Sequence, residues 1–162
     1  MKKYDVYGIG NALVDSEFEV DDRFFIDSGI EKGFMTLIDE EQQQKVLDLL
    51  TDRYGLTKRA GGGSAANSIY AMSQFGAKTF FSCKVANDEG GHFYVNELGQ
   101  HNVETNLSAE REAGTTGRCL VMVTPDAERT MLTSLGISQL VSTDELHYDA
   151  ISASTYAYTE GY

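Results

Sequence analysis

Apolar and polar positions recur with two different periods along the 162-residue chain, and the period selects the element. Tyr4–Ile9 (YDVYGI) is rich in β-forming residues and runs into Gly10-Asn11, which predicts a strand entering a turn. Ser16–Val20 (SEFEV) alternates polar and apolar as a half-exposed strand does, and Phe34–Ile38 (FMTLI) predicts another short strand. Asp39 stands at an N-cap position with Gln42 three residues on as the other half of a capping box. Val46, Leu49 and Leu50 give the ensuing helix an apolar face, and it is expected to end near Tyr54-Gly55.

After a polar stretch, Gly61-Gly62-Gly63-Ser64-Ala65-Ala66-Asn67 leads straight into Ile69, Met72 and Phe75 at helical spacing, with Gly76 placed for a C-terminal cap. Lys78–Val85 (KTFFSCKV) reads as a strand, Asn87–Gly91 as a turn, and Gly91–Gln100 as a helix stopped around Gly99. Arg118–Thr124 and Arg129–Ser134 flank Pro125-Asp126-Ala127-Glu128, a hairpin signal. Thr143 or Asp144 is placed to cap a short helix, and Ala150–Tyr158 ends in a strand-like segment. Strands alternating with helices predict an α/β domain with a largely parallel sheet. The short strands near the N-terminus are expected to form a small accessory sheet.

Composition narrows the function. Apolar residues make up 41% and charged residues 23%, enough to build a core and inconsistent with intrinsic disorder. Asp plus Glu number 25 against 13 Lys plus Arg, a net charge of −12. That field repels phosphate backbones and anionic bilayers, so neither a nucleic acid nor a membrane surface is expected as partner. No run approaches the length of a membrane span and the N-terminus lacks a signal-peptide core, so a cytoplasmic protein is expected. Cys83 and Cys119 lie far apart inside apolar runs and read as buried free thiols of a reducing compartment. His92, His101 and His147 show no metal-ligand spacing, and no metal site is expected.

Three segments could carry chemistry. Gly10–Asp15 follows the first strand, and ligands of parallel α/β sheets bind beyond the carboxyl ends of strands. Asn11 and Asp15 could present an amide and a carboxylate to adjacent hydroxyls of a polyol; equally, Asn11 could form a turn and Asp15 be solvated. In Gly61–Asn67 the glycines permit close backbone approach, and free N–H groups at the helix start can receive a hydroxyl or an anion. Ser64 could cap that helix and Asn67 face the same cleft, while a merely flexible loop is the other reading. The segment is not a Walker loop, since no GK[ST] follows. Gly114-Thr115-Thr116-Gly117-Arg118 enters an apolar strand, and Arg129 after the hairpin turn could orient an anion or pair with Asp126 or Glu128. Glu160, after Tyr156 and Tyr158, could contact a ligand at a strand end or be an ordinary exposed carboxylate.

The order of these motifs resembles the ribokinase-like (PfkB) sugar and nucleoside kinases along the whole chain. GIGNALVD, GGGSAANSIYAMSQFGA, KVANDEGGHFYVNEL and TTGRCLVMVTPDAERTM followed by LGIS carry the likeness, and the GNxxxD opening is most similar to the adenosine kinases. The resemblance implies a three-layer α/β sandwich with a mostly parallel central sheet and a small β lid, incomplete at its C-terminal side. Residues 1–162 would be the substrate-binding part, with lid strands approximately in 13–38.

By the same resemblance Asn11 and Asp15 would bind sugar hydroxyls, and Gly62, Gly63, Ser64 and Asn67 would complete that pocket. Thr116, Gly117 and Cys119 would lie near the substrate, Arg129 would steady the transferred phosphate, and Glu160 would be a substrate- or metal-proximal acid. The implied reaction is attack of a primary hydroxyl of a nucleoside, adenosine favoured, or of a sugar on the γ-phosphate of ATP, with Mg2+ neutralising charge. The family's GAGD and NxxE segments do not occur in these residues. No catalytic residue is therefore assigned, neither ATP nor Mg2+ is expected to be fully bound by this chain alone, and it is expected not to turn over ATP. An incomplete sheet implies an unpaired edge, open to association, and the lid strands imply a possible homodimer. A non-catalytic nucleoside- or sugar-binding module and a kinase-derived scaffold are the alternatives. Phe18, Phe34, Met35, Leu37 and Leu135 are candidate walls for a base.

Overall fold

The computed structural model describes residues 2–161. Its first half runs β1 (Tyr4–Ile9), β2 (Leu13–Glu19), α1 (Asp22–Ser28), β3 (Met35–Leu37), α2 (Glu40–Arg53), β4 (Lys58–Gly62) and α3 (Ser64–Gln74). The second half runs β5 (Thr79–Ser82), α4 (Glu89–Gln100), β6 (Val103–Thr105), β7 (Thr116–Val123), β8 (Arg129–Gly136), α5 (Tyr148–Ser152) and β9 (Ser154–Thr159). Short 3-10 turns cover Ile137–Leu140 and Thr143–Glu145. The strands form two sheets, ordered β6-β5-β1-β9 and β3-β8-β7-β2-β4. The chain divides into two compact units: residues 1–14, 61–117 and 135–162 make the first, residues 15–60 and 118–134 the second. It passes from one to the other within β2, β4, β7 and β8.

In the first unit the four-stranded sheet is parallel throughout, with Tyr7 of β1 opposite Phe80 of β5 and Ala157 of β9. Successive side chains of a strand point to opposite faces, and β5 shows the consequence. Phe81 enters the cluster of Val6, Ala65, Ile69, Tyr94 and Leu98, to which α3 and α4 contribute. Phe80 enters the cluster of Tyr4, Tyr7 and Ala150, the last from α5, and stacks on Tyr7 at 5.6 Å between ring centroids. Helices thus cover both faces of a parallel sheet, as the alternation of strands and helices predicts. The approach of α3 is close: a methyl on Gly8 would come within 2.5 Å of Ile69 Cγ1.

The second unit has its own core of Phe18, Leu120, Met122 and Leu132 against Phe24, Phe25 and Leu50 of α1 and α2. Helix α1 is absent from the sequence reading. Asp21, exposed, is its N-cap, accepting from Phe24 N at 3.0 Å, and Gly29 ends it with φ 69°. Seven residues with two adjacent phenylalanines show no helical period, so tertiary burial rather than pattern creates it. Helix α2 follows the expectation at its start, where Gln42 N donates to Asp39 Oδ1 at 2.7 Å. Its buried face differs: Leu49 is 57% exposed, whereas Gln43 is buried and donates to the carbonyls of Arg118 (2.8 Å) and Leu132 (3.1 Å).

Strands β4 and β6 also escape the pattern reading, because KRAGG is polar and glycine-rich and VET is three residues long. The five-stranded sheet draws on β4, β7 and β8 as well as the strands within 13–38. Phe75, placed at helical spacing with Ile69 and Met72, is 92% exposed because α3 ends before it. Among the described residues no helix is long and apolar enough to cross a membrane.

Candidate functional site

Strand β1 ends at Ile9, and the chain turns through Gly10 and Asn11 at the carboxyl end of the parallel sheet, where ligands of such sheets are held. Helix α3 begins beside it. Its N-cap is Gly63 (φ 104°, ψ 132°) with no side-chain cap, and Ser64 is the first helical residue rather than the cap. Gly63 is required twice over: its φ is one that L side chains rarely adopt, and a methyl there would collide with the Asn11 carbonyl. The peptide of Asn11 therefore lies directly against the opening of α3. The preceding glycines are pinned, Gly61 N donating to Glu97 and Gly62 O accepting from Tyr94 Oη at 3.1 Å.

A cavity of about 230 Å3 opens there, lined by Ile9, Gly10, Asn11, Ser64, Ala65, Gln139, Val141, Thr159 and Glu160. Three residues singled out in the sequence, Asn11, Ser64 and Glu160, meet in its wall. The Glu160 carboxylate accepts from Ser64 Oγ on one oxygen and from Tyr158 Oη, at 2.8 Å, on the other. Tyr158 Oη lies 3.0 Å from Ser68 Oγ, one helical turn beyond Ser64. Asn67 is exposed in the first turn of α3, its N–H given to Gly63 O at 2.9 Å, and it does not line this cavity.

Thr116 also belongs to the first unit, but its polar atoms are engaged within the protein. The residue is buried, its hydroxyl donates to Asp88 Oδ1 at 2.5 Å and accepts from Ala86 N at 3.0 Å, and its N–H donates to Asp88 Oδ2 at 2.8 Å. Gly117 follows, buried, its N–H given to Ser138 Oγ at 3.1 Å. Burial opposes ionisation of Asp88, yet the hydrogen bonds from Thr116 and from Gly91 N outweigh it and hold the carboxyl below its ordinary range.

Asp15, Cys119 and Arg129 lie in the second unit. Arg129 is exposed at the start of β8. Cys119 is buried, and Thr133 Oγ1 donates to its sulfur at 3.3 Å. Burial pushes the Cys119 thiol up to about 11; the negative charge of Asp15 pushes the same way, while the Thr133 hydrogen bond and Arg129 oppose it. Cys83, in the first unit, is fully buried and its thiol is likewise pushed up by burial. Among the described residues no group of three His, Cys, Asp or Glu side chains is arranged to hold a metal ion.

Sequence reasoning passed over Gln139 and Val141, which reach the cavity from a 3-10 turn that carries no pattern and from the residue that ends it. It also passed over Tyr158, although Tyr158 and Glu160 are two apart at a strand end and so share a face. Asp88 had a signal: it precedes a helix and the glycine pair Gly90-Gly91, where an N-cap belongs.

A polar crevice lies at the carboxyl edge of the parallel α/β sheet beside a glycine-initiated helix, the position at which sheets of this kind hold ligands. Comparison with known proteins gives the family. Residues 41–162 match the pfkB family carbohydrate kinase domain, and the chain belongs to that family. It is 24% identical over 153 residues to the guanosine-inosine kinase of Escherichia coli (strain K12), covering 93% of this chain and 35% of that protein. The crystal structure of adenosine kinase from Sinorhizobium meliloti superposes with a TM-score of 0.82 at 32% identity, over 97% of this chain and 47% of that one. A probable sugar kinase protein from Rhizobium etli CFN 42 superposes with a TM-score of 0.83 at 30% identity, again over 47% of its own length. The fold is thus the ribokinase-like one, and the chain spans about half the length of these solved relatives.

Proposed function

We propose that this chain is the substrate-binding part of an ATP-dependent kinase that phosphorylates the primary hydroxyl of a nucleoside, adenosine favoured, or of a sugar. The observation that carries the reading is the convergence of Asn11, Ser64 and Glu160 on one cavity at the carboxyl end of β1, against the start of α3. An amide, a hydroxyl and a carboxylate are matched to a compound that offers several hydroxyls, because each can take part in a hydrogen bond with one. In the same reading Gly62 and Gly63 shape the wall beside Asn11 at the start of α3. ATP and Mg2+ would be used by the whole kinase; the described residues alone would bind substrate without turning over ATP. A cytoplasmic location, and self-association through the exposed β3 (Met35, Leu37) with Phe34 just before it or through the edge strand β9, are part of the proposal.

Titration calorimetry with adenosine, ribose and fructose, joined to a coupled ADP-release assay, tests this. Binding that falls about tenfold or more in Asn11→Ala supports it. Absence of binding to every such compound by the longest natural form overturns it, and binding without turnover in that form turns the reading to a non-catalytic module. ADP release by residues 1–162 alone would overturn the expected inactivity.

A further inference from the structure

Helix α4 contributes no side chain to the lining of the crevice at the end of β1, yet two of its residues hold the backbone that leads into it. Gly61 and Gly62 are the last two residues of β4, the edge strand of its sheet. An edge strand leaves N–H and C=O groups unpaired. At these glycines α4 engages one of each kind: Glu97 accepts from Gly61 N, and Tyr94 Oη donates to Gly62 O at 3.1 Å. The two residues are three apart and so share a face of the helix. Tyr94 is buried and Glu97 half-buried. A methyl on Gly61 would lie 2.8 Å from Glu97 Oε2 and 3.4 Å from Tyr94 Cε2, so α4 rests directly on this backbone. The helix does not need either bond for its own ends, since Asp88 caps it.

We propose that Glu97 and Tyr94 are positioning residues of the crevice, holding the Gly61–Gly62 backbone so that the opening of α3 keeps its place against Asn11. This rests on the functional reading above and deepens it. The path from α4 to the crevice is short. Gly62 is followed by Gly63, which lies so close to the Asn11 carbonyl that a methyl has no room there. Ser64 comes next and lines the crevice together with Asn11. Three successive glycines have no side chains to anchor them, and glycine backbone has the widest conformational freedom. The two bonds from α4 supply the restraint that packed side chains supply elsewhere, and a binding constellation needs such support to stay within about 0.5 Å of its productive geometry. Glu97 contributes an acceptor, a role that a glutamine oxygen also fills. Tyr94 contributes a hydroxyl donor, which a phenylalanine lacks.

The test is calorimetry with adenosine and with ribose on the longest natural form of the protein, with urea unfolding of each variant alongside. Glu97→Ala and Tyr94→Phe are each expected to weaken binding about fivefold, because a small misplacement of binding groups is costly. Glu97→Gln is expected to bind within about twofold of wild type, since its amide oxygen still accepts from Gly61 N. Gly55→Ala, strained at an open left-handed turn, is the control for lost stability and is expected to bind as wild type does. Tyr94→Phe carries the test should Glu97→Ala fail to fold. Affinity unchanged in both Glu97→Ala and Tyr94→Phe, or lost equally in Gly55→Ala, overturns the assignment while the functional reading stands. Binding by Glu97→Gln as weak as by Glu97→Ala also overturns it. Wild type that binds neither compound overturns the functional reading and this inference together.

Discussion

Asp88 and Thr116 are joined twice, by a backbone N–H bond of 2.8 Å and a hydroxyl bond of 2.5 Å. The same carboxylate receives Gly91 N at 2.7 Å as the N-cap of α4. One side chain therefore ties the first turn of a helix to the first residue of β7, 28 positions later.

All three donors need an acceptor, and an asparagine at position 88 offers only one acceptor atom. Asp88→Asn is expected to cost about 1–3 kcal/mol, read as a lower midpoint in urea unfolding. Thr116→Val, which removes the hydroxyl and keeps the N–H bond, is expected to cost less.

The depressed folded-state pKa of Asp88 fixes a sign for pH dependence. Its contribution to stability is fully present above its unfolded value near about 4 and is lost as pH falls through the lower folded value. Acid unfolding followed by circular dichroism is expected to show this loss below about pH 4 in the wild type and a flatter profile in Asp88→Asn. Identical profiles would refute it.

Gly63→Ala meets both a φ of 104° and the Asn11 carbonyl. A loss of about 1–3 kcal/mol is expected from the backbone conformation alone. Ligand affinity is expected to fall as well, because the peptide that must give way belongs to Asn11. Gly55→Ala, at a φ of 76° with open space around it, is the control: stability falls and affinity does not.

Gln43 is buried, and its amide satisfies two backbone carbonyls on neighbouring strands. Gln43→Leu keeps the volume and strands both acceptors. A loss of about 2 kcal/mol is expected by thermal or urea unfolding. A neutral result would show that the carbonyls find other donors.

Cys83 and Cys119 are buried free thiols whose pKa values burial raises, that of Cys119 to about 11. Thiolate is the reactive form, so at pH 8 neither is expected to react with a disulfide reagent in native protein, and both to react in denaturant. Fast native labelling of either would contradict the packing.

The elements legible in the sequence were those with local chemistry. Asp39 caps α2 and Gly76 follows α3 with a φ of 92°, because caps and left-handed turns are decided within a few residues. The hairpin around Pro125–Glu128 likewise forms, with Ala127 at φ 63°. Elements made by distant partners were not legible. Strand β4 is a strand because it lies beside β2, and α1 a helix because Phe24 and Phe25 find Leu50 and Phe18.

By itself the sequence determined the alternation of strands and helices, the acidic surface, and the order of motifs that places the chain in the pfkB family. Those properties are sums over local residues or matches along the chain, and they need no coordinates. Only the tertiary structure decided that Glu160 meets Ser64 across 96 positions and that Thr116 is spent on Asp88. Hydrogen-bond partners so far apart are brought together by the parallel register of β1 and β9 and by the packing of α3 and α4, which depend on the whole folded core rather than on any segment.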